Sequence, residues 1–81
     1  MNEYKLKNSL LKEAQNSLKR AKEYAIDGDT LREINNLILS AAYFREAGNY
    51  EKVRETLMEI LKIDKLPIKI KSDIMEEIQS L

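Results

Sequence analysis

Apolar residues recur along this chain at three- and four-residue steps, interrupted at two glycines and one proline, and that pattern predicts four helices. The first runs over about 3–26. Leu6, Leu10, Ala14, Leu18, Ala21 and Ala25 share one side, Leu11 and Tyr24 widen the stripe, and Lys5, Lys12 and Lys19 project from the opposite side. Ala14 and Ala21 are small enough to let a partner helix approach closely. Asp27-Gly28-Asp29 ends this helix, because glycine tolerates the left-handed conformation that stops helices. The second helix, about 30–47, opens on Thr30-Leu31-Arg32-Glu33, which has capping-box spacing. Its main apolar arc carries Leu31, Ile34, Leu37, Ile38, Ala41 and Phe44. Leu39 and Tyr43 lie outside that arc. A helix that is apolar on two sides is either central in its bundle or meets a partner.

Gly48 closes the second helix and Asn49 is placed to cap the third, which spans about 49–63. Tyr50, Val53, Leu57, Ile60 and Leu61 form its inward stripe. Pro67 suits the first turn of a fourth helix over about 67–80, where its missing amide costs nothing. Ile70, Ile74, Ile78 and Leu81 share a face there. The run from Leu66 to Lys71 also alternates like a short strand, but a lone strand has nothing to pair with, so helix is the expectation. A later start is the alternative, since Asp73 and Glu76 also have capping-box spacing. The prediction is one domain, residues 1–81: an all-α, antiparallel array of about four helices.

The stretch from Leu37 to Asp64 resembles one unit of a tetratricopeptide repeat. Leu37, Ser40, Ala41 and Phe44 sit at the first helix's signature positions, Gly48-Asn49-Tyr50 at the turn, and Val53, Leu57 and Ile60 at the second helix's positions. Ser40 stands where the family has leucine, Val53 and Ile60 where it has alanine, and Lys65 where it has the closing proline. Ala14, Leu18 and Ala21 echo the spacing of Val53, Leu57 and Ile60 at a distance of 39 residues. The turn from Ala47 to Glu51 is also similar to that of microtubule-interacting and trafficking domains. The repeat resemblance implies a helical hairpin that holds another protein. By position, the groove-lining side of its first helix would show Asn35, Leu39, Ala42 and Arg45, with Tyr43 beside them. The donors with which such hairpins clamp a terminal carboxylate are missing, because Ile38, Leu39 and Ala42 are apolar there. An apolar or helical ligand segment is therefore expected.

Composition narrows the function further. There is no cysteine and no histidine, so disulfides, thiolate metal sites and the commonest general base are all lacking. Basic and acidic side chains balance at 14 each, against the clearly basic character usual in nucleic-acid binders. Residues 1–25 nonetheless carry six lysine or arginine residues against three glutamates, a local excess of +3. Glu76 and Glu77 are adjacent and point about 100° apart on a helix, so they cannot flank one bond. Asp27 and Asp29 read as turn formers beside Gly28. No glycine-rich phosphate loop is present. There is no long apolar run and no signal-peptide pattern, which points to a cytoplasmic protein without a membrane partner. The expected function is non-enzymatic and needs no metal or cofactor: a protein–protein interaction module, as adaptor, assembly subunit or small regulator. Two rival readings use other surfaces. One is a self-associating helical protein, a homodimer through Leu39, Tyr43 or the Ile70, Ile74, Ile78 stripe. The other is a nucleic-acid-binding regulator using Lys5, Lys12 and Lys19.

Overall fold

The computed structural model describes residues 3–81. They form four helices in order: α1 (Glu3–Ile26), α2 (Thr30–Glu46), α3 (Tyr50–Leu61) and α4 (Ile68–Gln79). No strand occurs among the described residues. The alternating segment does not pair; it enters α4 at Ile68, ahead of the later start at Asp73.

The first two turns use one local solution twice. Gly28 (φ 74°) and Gly48 (φ 77°) hold the left-handed conformation. Around the first, Gly28 N donates to the Ala25 carbonyl and Asp29 N to the Tyr24 carbonyl, at 3.1 and 2.9 Å. Around the second, Gly48 N donates to Arg45 and Asn49 N to Phe44, both at 2.9 Å. This paired closure satisfies the last carbonyls of each helix. The residue after each glycine then caps the next helix. An Asp29 carboxylate oxygen accepts from Arg32 N at 3.2 Å, and Asn49 Oδ1 accepts from Lys52 N at 3.3 Å. The cap of α2 is therefore Asp29 and not Thr30, which is the first helical residue. The carboxylate reaches the orphan amide and adds a negative charge at the positive end of the helix.

The turn after α3 lacks a glycine. Lys65 takes φ 58° there, a conformation that is strained for a residue with a Cβ. Lys65→Gly is expected to raise stability by about 0.5–1 kcal/mol, the relief of that strain less the added freedom of the unfolded chain. A urea midpoint that falls instead would contradict the strain.

Successive helices pack on one another: α1 on α2, α2 on α3 and α3 on α4. The short turns make the first three neighbours antiparallel. The array measures 43 × 30 × 14 Å. α1 and α3 flank the same side of α2 and leave a groove between them. The core comprises Ala14 and Ala21 of α1, Leu37, Ala41 and Phe44 of α2, Val53, Leu57 and Ile60 of α3, and Ile74 of α4.

The α1–α2 contact is a seam of small and polar residues. Ala14, Ser17, Ala21 and Ser40 are all buried. Ser40 Oγ donates to the Ala14 carbonyl at 2.8 Å. Arg20 donates to Ser17 Oγ at 3.0 Å and to Asn36 Oδ1 at 3.2 Å, and Asn36 Nδ2 donates to the Arg32 carbonyl at 2.8 Å. The seam therefore carries its polar groups without leaving any buried side-chain donor or acceptor of the described residues unpaired.

In α2 and α3, three large residues expected to face inward do not. Leu31, Ile38 and Tyr50 are 69, 42 and 57% exposed. The reason in α2 is that both principal neighbours lie on one side. Its buried arc runs through Ile34, Leu37, Ser40, Ala41, Phe44 and Ala47, turned toward the small residues that allow close approach and away from Ile38. At the other end of α1, Tyr4 and Leu6 are exposed: 24 residues outrun the 17 of α2 by roughly 10 Å.

Candidate functional site

The side of α2 opposite its buried arc departs from an ordinary solvated helix. Leu31, Asn35, Ile38, Leu39 and Ala42 are all exposed on it. The helix is held from behind by α1 and α3, so this face is presented on a rigid support. Asp29 at one end and the Gly48 turn at the other fix its length.

The five residues that the sequence places at a contact site divide into three groups. Asn35, Leu39 and Ala42 do share the open face, with Leu39 40% exposed. Tyr43 is half-buried and packs against the core cluster. Arg45 is also half-buried and forms an ion pair with Glu77 of α4, the link between α2 and the last helix. Two positions apart on a helix, Tyr43 and Arg45 point roughly 160° away from each other and border the face from opposite flanks. Leu31 and Ile38 belong to the open face, and periodicity alone put them in the core. A signal for them was present: Ile38 lies three residues after Asn35 and four before Ala42, so it must lie near any face those two share.

Three other surfaces compete for attention. The groove between α1 and α3 encloses about 500 Å³ and has Leu18, Ala21, Ala25 and Leu37 along it, with Lys22 and Glu33 among its charged lining. Its charges are partly neutralised within α3, where Lys52 pairs with Glu55 at 3.0 Å. Lys5, Lys12 and Lys19 are exposed along α1. The Ile70, Ile74, Ile78 stripe of α4 faces the fold: Ile74 is buried, and Ile70, Ile78 and Leu81 pack against the core. What α4 leaves outside is Ile68 and Met75, at 85 and 45% exposure.

Among the described residues, no three carboxylates come together in a way that would hold a cation. Glu77 is engaged by Arg45, while its neighbour Glu76 lies on the outer side of α4 with Ile68 and Met75. Among the described residues, no helix is long and apolar enough to cross a membrane. Compared with protein-family models, curated proteins and solved structures, the chain matches none.

Proposed function

We propose that the protein is a non-enzymatic interaction module, an adaptor or assembly subunit of the cytoplasm, that receives an apolar or helical segment on the open face of α2. The observation that supports this is the exposure of Leu31, Ile38 and Leu39 together on the helix that also carries Phe44 into the core. Single exposed leucines are ordinary on a protein surface, but three large apolar side chains exposed on the open side of one central helix favour a contact there. The resemblance of residues 37–64 to a tetratricopeptide hairpin supports the same reading, since Asn35, Leu39 and Ala42 occupy the ligand-facing side there. Absence of histidine and cysteine favours binding over chemistry.

The test is Leu39→Asp. Surface substitutions away from packed features change stability by about 0.5 kcal/mol or less, so helicity and the melting midpoint should hold. Capture of protein partners on the immobilised domain should fall about tenfold or more. Tyr43→Asp is the contrast and should lower the melting midpoint, because it puts a charge against the core. Undiminished capture by Leu39→Asp, or its unfolding, would refute the reading.

A further inference from the structure

Along the open side of α2, Arg32, Asn35, Leu39, Ala42 and Glu46 follow one another at steps of three, four, three and four residues. That is the spacing of a seam along which one helix lies on another. All five are solvent-facing or border the solvent-facing side, Arg45 and Tyr43 being the flanks that the fold uses. The row is centred on Leu39, with a cation seven residues before it and an anion seven residues after.

Such a row complements itself in one orientation. Two copies related by a two-fold axis through Leu39 run antiparallel and set Leu39 against Leu39. Arg32 of each then lies beside Glu46 of the other, and Asn35 of each beside Ala42 of the other. A parallel pairing would bring arginine to arginine and glutamate to glutamate. Both charges are exposed. Glu46 is exposed and makes no ion pair among the described residues. Arg32 leans on Asp29 at 3.6 Å and on the Tyr24 ring at 5.7 Å, yet its side chain stays 67% exposed. Ile38 and Leu31 border the row and would lose water in the same contact.

We propose that this face of α2 pairs antiparallel with the same face of a second copy of the chain. The proposal rests on the reading of that face as a contact surface and names its occupant. A 17-residue helix offers a strip about 25 Å long, short of the roughly 800 Å² per partner of a standard stable interface. The dimer is therefore expected to be weak and reversible.

Sedimentation equilibrium of the full chain at low salt, from about 1 µM to about 1 mM, tests it. The wild type should pass from monomer to dimer, and Leu39→Asp should remain monomeric. Arg32→Glu alone and Glu46→Arg alone should each weaken the dimer about tenfold, since each sets two like-charge contacts across the axis. Mixing these two variants should restore dimers, and so should the double variant Arg32→Glu/Glu46→Arg by itself. Loss in each single variant together with recovery in the double variant belongs to the antiparallel register alone, because in a parallel pair neither single variant changes the number of like-charge contacts. A wild type that is monomeric throughout, or a mixture without rescue, would overturn self-pairing. If the monomeric wild type still loses protein capture on Leu39→Asp, the contact-surface reading stands and its occupant is a different protein. If capture is also unaffected, both fail.

Discussion

Ser40→Leu is expected to lower stability by about 3 kcal/mol or more, enough to unfold much of the population in a domain whose total is about 4–12 kcal/mol. Ser40 has no exposed surface, and its hydroxyl donates to the Ala14 carbonyl at 2.8 Å. It faces Ala14, which is equally buried, across the contact between α1 and α2. Leucine there adds volume where no space exists and deletes the hydrogen bond, so the helices must separate along the whole seam. Ser40→Ala removes only the bond and should cost about 1 kcal/mol, because the Ala14 carbonyl keeps its partner within α1. Urea denaturation of both variants checks this. Comparable losses in the two would mean that the hydrogen bond, not the space, sets the contact.

Phe44→Ala should cost about 3–5 kcal/mol. Phe44 is among the largest fully buried side chains, at 1% exposure, and sits in the cluster to which all four helices contribute. Removing the ring leaves a cavity that the flanking Ala41 is too small to fill. Phe44→Leu keeps most of the volume and should cost roughly 1–2 kcal/mol. Measured by the same denaturation, a loss under about 1 kcal/mol for the alanine variant would show that the cluster collapses around the gap, as loosely packed cores can. Neither substitution touches the open face of α2, so any loss of partner binding they cause should track unfolding and vanish once the folded fraction is corrected.

The four helices were legible because their signals are local. Gly28 and Gly48 are the chain's two glycines, each followed by an Asx residue that can both close one helix and cap the next. Capping-box spacing points to Thr30 as the cap of α2, but Asp29 and Thr30 stand side by side, and only the backbone geometry decides which one precedes the first helical turn. The core residues Ile34, Leu37, Ala41, Phe44, Val53, Leu57, Ile60 and Ile74 follow from periodicity, which reports the mean direction of a helix's apolar side. The same periodicity misplaced Leu31, Ile38 and Tyr50, because it weighs a residue by its hydrophobicity and not by the space its neighbours leave.

The sequence by itself determined the helix count, the two glycine turns and the residue types available for chemistry. These depend on the conformational freedom of glycine, on helix caps and on the 3.6-residue repeat, all of which act within a few residues. Only the tertiary structure decided which side of α2 is closed. α1 and α3 both settle against the side bearing Ser40 and Ala41, since small residues there let backbones approach, and so the side bearing Ile38 and Leu39 stays open. The tertiary structure also separated Leu39 from Tyr43. Both lie outside the main apolar arc, yet Tyr43 turns toward the core and Leu39 toward solvent. That difference depends on where a second and third helix come to rest, a long-range outcome that no local pattern carries.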